Sequence, residues 1–178
     1  METIKIECEI ESMSPLKMDN FVAGNQPKND AEYIKQAEKK TYKNTKGELV
    51  IPAEAVKATL KAAASELCGI KKGKNMRQAI RSFVFFNDDM SLGKKEYDLI
   101  DKVMVTRGKG EKVTRVPSYR PLIKEWKAKG IISIFPNTDG IDASFLKSAM
   151  ELAGLKYGLL SHRPEFGRFA VKSWKVAK

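Results

Sequence analysis

Over residues 3–11 apolar and polar side chains alternate strictly: Ile4, Ile6, Cys8 and Ile10 share one face, and Lys5, Glu7, Glu9 and Glu11 share the other. A period of two predicts a half-buried strand. Residues 12–29, with Pro15, Gly24, Asn25 and Pro27, read as loop. Asp30 to Tyr42 has a polar helical pattern with Asp30 as its N-cap. Asn44 to Gly47 is a turn, and Glu48 to Ile51 is a short extended piece ending at Pro52. The period then lengthens. Val56, Leu60, Ala63, Ala64 and Leu67 fall at helical spacing over Ala53 to Leu67; Pro52 suits the first turn and Gly69 stops the helix. Ser82 to Phe86 reads as a strand and Asn87 to Lys95 as a polar loop. Lys102–Arg107 and Lys112–Val116 are the arms of a hairpin around Gly108-Lys109-Gly110-Glu111, followed by an extended Pro117 to Pro121. The strand signal is strongest next over Ile131–Phe135. Asp142 caps a helix running to Ala153 and ended by Gly154; Ser161 to Gly167 is a loop, and Arg168 to Val176 is a last strand.

With insertions set aside, the order is strand, helix, strand, then strand, helix, strand. This is the split βαβ order of the ferredoxin-like fold, the architecture of RNA-recognition domains. The pattern predicts one α+β domain across the 178 residues. Its core covers 3–11, 48–69, 82–86 and 129–176, with insertions at 12–47, 70–81 and 102–116: helical insertions, including the basic 70–81 segment, and a basic β-hairpin.

Charge turns this fold toward a ligand class. Lys plus Arg number 33 against 22 Asp plus Glu, a net +11. Such a surplus favours polyanionic partners, nucleic acid before an anionic membrane. No apolar run is long enough to span a bilayer, and the alternating N-terminus lacks the shape of a secretory signal. The bases cluster. Lys57 and Lys61 share a helix face and precede a run of Lys71, Lys72, Lys74, Arg77 and Arg81 with no acid. Residues 102–129 hold nine bases, among them Lys109, Lys112, Arg115 and Arg120, against two acids. His162, Arg163 and Arg168 flank a third site, and Lys172 and Trp174 follow Arg168 on what alternation makes one strand face. Tyr119 and Phe166 are interleaved with these cations. Aromatics among bases suit single strands, since stacking adds about 1–3 kcal/mol per base.

In a ferredoxin-like sheet the first strand is central and lies beside the last. Its outward Glu7 and Glu9 would repel phosphates, and they are placed to pair across strands with Arg168 and Lys172. The ligand is therefore expected off the sheet, in a groove of the first long helix, the hairpin and the 161–168 loop.

Enzyme chemistry finds little support. Two cysteines sixty positions apart and a single histidine fit neither a disulfide framework nor a zinc site; both cysteines read as small buried residues. No phosphate loop, dinucleotide fingerprint or nucleophile elbow is present. No cofactor and no metal are expected. The one catalytic candidate is His162 as general base of a metal-free RNA cleavage, with Lys156 or Tyr157 assisting and Arg163 or Arg168 stabilising the transition state.

Two stretches carry a resemblance. Leu49-Val-Ile-Pro-Ala-Glu-Ala-Val-Lys-Ala-Thr-Leu-Lys61 resembles the extended segment, Ile-Pro and helix near the start of the RAMP superfamily, the RNA-binding subunits of CRISPR effector complexes. His162-Arg-Pro-Glu-Phe-Gly-Arg-Phe169, with Arg120-Pro-Leu-Ile-Lys-Glu-Trp126, resembles a group of small bacteriophage proteins associated with that fold. The resemblance implies RNA lying against the helix, the hairpin and the C-terminal glycine loop, and so points to Lys57, Lys61, Lys109, Lys112, Arg115, Arg163 and Arg168. Gly158 and Gly167 do not form the tight glycine cluster of that family. The hairpin aspartate of its RNA-cutting members has no counterpart nearer than Glu111. The expected function is non-catalytic binding of single-stranded RNA, ahead of DNA, in the bacterial cytoplasm, with self-association along the strand. The alternatives are a phage inhibitor docking on a host nuclease or CRISPR complex and a metal-independent ribonuclease.

Overall fold

The computed structural model of the protein describes residues 2–108, 110 and 113–177. The chain runs β1 (Ile4–Ser12), β2 (Leu16–Lys17), α1 (Asp30–Glu38), β3 (Val50–Ile51), α2 (Ala53–Leu67), α3 (Gly69–Phe83), β4 (Val84–Phe86) and β5 (Met90–Ser91). It continues through β6 (Leu99–Arg107), β7 (Thr114–Ile123), β8 (Lys127–Ile134), α4 (Ala143–Leu152), a π-helical turn (Ala153–Tyr157) and β9 (Phe169–Ala177).

β1 lies antiparallel between β8 and β9, and β4 pairs with the far side of β8, so the core order is β9-β1-β8-β4. Helices enter between β1 and β4 and between β8 and β9, which is the ferredoxin-like arrangement. β5 and β3 extend the sheet beside β8, while β2, β7 and β6 form a second, three-stranded sheet. The alternation of β1 decides which face is dry: Ile6, Cys8 and Ile10 are buried under α2 and α4, and Glu7, Glu9 and Glu11 face outward. Each such aliphatic side chain contributes about 1.5–3 kcal/mol by leaving water. Burial, reinforced by the neighbouring Glu9 charge, pushes the Cys8 thiol up to about 12. Cys68, expected to be buried too, is partly exposed at the corner between α2 and α3.

Three local expectations are corrected. The cap of α1 is Asn29, whose Oδ1 accepts from the Glu32 N–H at 3.0 Å, and the helix ends at Glu38 rather than Tyr42. The basic 70–81 insertion is helical, in keeping with the helical insertions expected, because Met76, Ala79, Ile80 and Phe83 give its inner face an apolar stripe. Gly73 lets it close on α2; a Cβ there would stand 2.5 Å from the Ser65 carbonyl oxygen. Gly154 does not end its helix. The helix widens into the π-helical turn and stops at Gly158, and Gly154 makes room for β9, since a Cβ would lie 2.0 Å from the Phe169 carbonyl oxygen.

The third correction concerns β9. Cys8 pairs with Trp174 and Ile10 with Val171, so a bulge adds one residue to β9 between them. Trp174 therefore faces the core and Lys172 the open face; alternation had put both with Arg168. The outward carboxylates accordingly find other partners. Lys129 reaches Glu9 at 3.4 Å and Lys172 reaches Glu11 at 3.4 Å, while Arg168 donates to the Pro164 carbonyl at 2.8 Å.

Candidate nucleic-acid interface

α2 is rich in alanine, the strongest helix former. Its buried side uses Val56, Leu60, Ala63 and Ala64; its outer side presents Ala55, Ala58 and Ala62. Methyl groups leave a low floor where longer side chains would fill the space. Three adjoining pockets of about 290, 400 and 630 Å³ all touch Ala58 and together form a groove along the helix. At one end its wall is the 158–168 loop, with Leu160 and Arg163. At the other it is α3, whose Lys74, Arg77 and Arg81 project on one helical stripe toward Lys61 of α2. That end holds four cations and no carboxylate among the described residues.

The loop wall is built by close backbone approach. Gly158 and Gly167, nine positions apart, meet across its neck: the Leu159 N–H donates to the Gly167 carbonyl at 3.0 Å, and the Gly167 N–H to the Pro15 carbonyl at 2.8 Å. Both have positive φ, and a Cβ on Gly167 would stand 2.1 Å from the Leu159 carbonyl oxygen. Leu160 and His162 also adopt positive φ, at 58° and 59°, a conformation that costs a non-glycine residue about 1–3 kcal/mol. Arg163 is turned into the groove, where its guanidinium donates to Thr59 Oγ1 at 3.1 Å, and that hydroxyl donates to the Gly158 carbonyl at 3.1 Å. The tether orients the charge without neutralising it.

Beside this wall lies a second cluster, whose Asp19 carboxylate also lines the loop end of the groove. Lys17 is buried, pairs with Asp101 at 2.7 Å and sits 3.6 Å above the Phe166 ring. Arg120 and Lys40 both hold Asp19, at 2.7 and 3.1 Å. His162 joins the two halves, with Arg120 Nη1 at 2.8 Å from Nε2 and Lys17 Nζ at 3.3 Å from Nδ1. Burial, then the Arg120 and Lys17 charges, hold the His162 pKa below its ordinary value; Asp101 and Asp19 oppose them more weakly. Burial works against the Asp19 carboxylate, but hydrogen bonds from Arg120 and Lys40 prevail and keep its pKa low. Each ring nitrogen thus lies against a cation, and only the one without a proton can accept. The cluster ties the loop to the base of the hairpin.

This linkage has a sign. The native state disfavours His162 protonation, so as pH falls below about 6.5 the unfolded chain takes up the proton first. The contribution is neutral above that pH and destabilises as pH falls toward the lower native value. Melting temperature is expected to drop between pH 7 and pH 5, and to drop less in His162→Asn, since asparagine tolerates the positive φ.

The residues singled out in the sequence are distributed unevenly. Lys61 and Arg163 line the groove. Lys57 sits at its edge, donating to the Arg81 carbonyl at 3.1 Å. Lys71 and Lys72 are exposed on the first turns of α3, away from the groove lining, whereas Lys74, Arg77 and Arg81 of the same run line it. Helical spacing sets Lys72 off the stripe of 74, 77 and 81, whereas Lys71 continues that stripe one turn earlier and differs by its place along α3. Arg120, His162 and Phe166 belong to the cluster beside the wall. Tyr119 is buried and stacked on Tyr33, with centroids 5.3 Å apart, so its ring is not open to a base. Arg115 is exposed on β7, and Arg168 is exposed at the loop's end. Lys109 and Lys112 lie outside the described residues. Lys17 and Thr59 were not legible as site residues; Leu16-Lys17 falls in what reads as loop. Among the described residues no group of His, Cys, Asp and Glu could hold a metal ion, and no helix is long and apolar enough to cross a membrane.

Fold comparison finds the same ferredoxin-like architecture in two solved structures. The chain superposes on a chain of the cryo-EM structure of the Type III-B Cmr-beta bound to cognate target RNA, with TM-score 0.60 and 13% identity over 99% of this chain and 61% of that one. It superposes on the crystal structure of Cmr6 from Pyrococcus furiosus with TM-score 0.52 and 10% identity, over 96% of this chain and 99% of that one. The chain thus spans 61% of the length of the first structure's chain. No protein-family model and no curated protein sequence matches it.

Proposed function

We propose that the protein binds single-stranded RNA, without cleaving it, in the groove along α2. The observation that carries this reading is the alanine floor bordered by Lys61, Lys74, Arg77, Arg81 and Arg163, none of which makes a salt bridge among the described residues. Some cations outside the groove are paired: Lys102 with Asp30, Lys129 with Glu9 and Lys172 with Glu11; within it, Lys156 pairs with Glu66. Open cations on a channel one helix long attract phosphates and release their counterions, whatever the base sequence. The RAMP-like fold, one of whose solved examples is bound to target RNA, supports RNA over DNA. Likeness of the Arg120–Trp126 and His162–Phe169 stretches to phage proteins supports a phage-type member.

Titration of a fluorescent oligouridine tests this. With five phosphate contacts, affinity is expected to fall about 100-fold between 50 and 200 mM salt. Absence of binding at 50 mM contradicts the proposal.

A further inference from the structure

The open face of the sheet carries one feature the groove does not use. β4 alternates, with Val84 buried, Phe85 exposed and Phe86 half-buried. On β8 Ile132 and Ile134 are buried, so Ile131 faces outward and Phe135, just past the strand, continues that side. Phe85, Ile131 and Phe135 are 40%, 42% and 42% exposed, and the two rings lie 4.9 Å apart at 58°. Such a cluster loses hydrophobic stabilisation by standing in water, and a contiguous exposed patch of this kind marks an interaction site.

Its surroundings point to the occupant. Lys57 Nζ lies 4.6 Å from the centroid of the Phe85 ring. The same ammonium holds the carbonyl of Arg81, whose side chain lines the end of the groove. Arg81 and Phe85 are four residues apart, so the chain itself joins groove to aromatic pair within about 14 Å. Lys5 flanks Ser133, which is paired with Phe85. The carboxylates nearby are Glu54, beside Lys57, and Glu7, across from Ile131. An apolar ring surface under one cation, next to a cationic channel, fits a nucleobase whose phosphates stay on the lysines and arginines.

We propose that Phe85 and Phe135 form a stacking subsite for an unpaired nucleobase of a strand leaving the α2–α3 groove. This rests on the RNA-binding reading above and adds to it a preference for bases over bare backbone. The earlier expectation of a ligand wholly off the sheet is thereby narrowed: the acidic column of β1 is avoided, while the β4 edge is used.

The test compares two probes of equal charge, a 12-nucleotide oligouridine and a 12-unit abasic ribose-phosphate oligomer, on the full chain. Phe85→Leu with Phe135→Leu keeps apolar volume and removes both rings. The double variant is expected to bind oligouridine roughly tenfold more weakly and the abasic oligomer unchanged. Phe85→Trp is expected to bind oligouridine undiminished and to show indole quenching on its addition, with none on adding the abasic oligomer. Equal loss for both probes, or loss for neither, overturns stacking and leaves the pair as a protein-docking patch. If the unaltered protein binds neither probe, the groove reading fails, and the subsite with it.

Discussion

Gly167→Ala is expected to cost about 4 kcal/mol of stability. The position has φ of +76°, which strains any side chain, and the new methyl would stand 2.1 Å from the Leu159 carbonyl oxygen and 2.6 Å from its nitrogen. Those contacts are backbone, locked by the Leu159–Gly167 and Gly167–Pro15 hydrogen bonds, and cannot step aside. Left-handed strain of about 1–3 kcal/mol and overpacking of similar size add together. For a chain of this length that lowers the melting temperature by about 8–16 °C. Gly140→Ala is the control: φ is +77°, but nothing lies within 4 Å, so only the conformational strain remains, about 1 kcal/mol. Thermal melts of the two variants check the difference. RNA affinity should fall with Gly167→Ala and stand with Gly140→Ala, because only the first deforms the groove wall.

The second large effect is electrostatic. Lys61→Glu, Arg77→Glu and Arg163→Glu together reverse charges at both ends of the groove while leaving the core intact, since all three side chains reach solvent. At about 1.4 kcal/mol per reversal, affinity for oligouridine should fall roughly 1,000-fold. Loss of three phosphate contacts should also flatten the log–log salt dependence by about 2. Lys129→Glu, Lys147→Glu and Lys172→Glu carry the same change in net charge on the sheet face and α4, where each lysine already has a carboxylate partner. If that triple weakened binding as much as the groove triple, net charge rather than the groove would govern affinity.

Much of this fold was legible because its strongest signals are periodic. The alternation of β1 and the apolar stripe of α2 come from burial on one face, and burial leaves its period in the sequence. The ferredoxin-like order followed from those elements. What escaped was set by contacts between distant segments. Gly154 looks like a helix stop and is instead clearance for Phe169, fifteen residues on. The β9 bulge shifts Trp174 to the core, and no local pattern announces an added residue. The site shows the same division. Clustering of bases pointed to α2, the basic 70–81 segment and the 161–168 loop, but not to which cations stay open. Lys74, Arg77 and Arg81 differ from Lys72 by their angle around α3 and from Lys71 by their place along it. Arg120 and Lys17 were drawn into ion pairs by Asp19 and Asp101, which lie 101 and 84 positions away in the chain. Gly158 and Gly167, too far apart to read as a glycine cluster, become one only when the loop closes.

The central claim is that RNA runs along α2 between the 158–168 loop and α3. Photo-crosslinking of an oligouridine carrying 4-thiouridine, followed by mass spectrometry of the modified peptides, tests it most directly. Adducts are expected within 53–67, 74–86 and 158–168. Adducts confined to the acidic outer face of β1 or to α1, with those three segments unmodified, would contradict it.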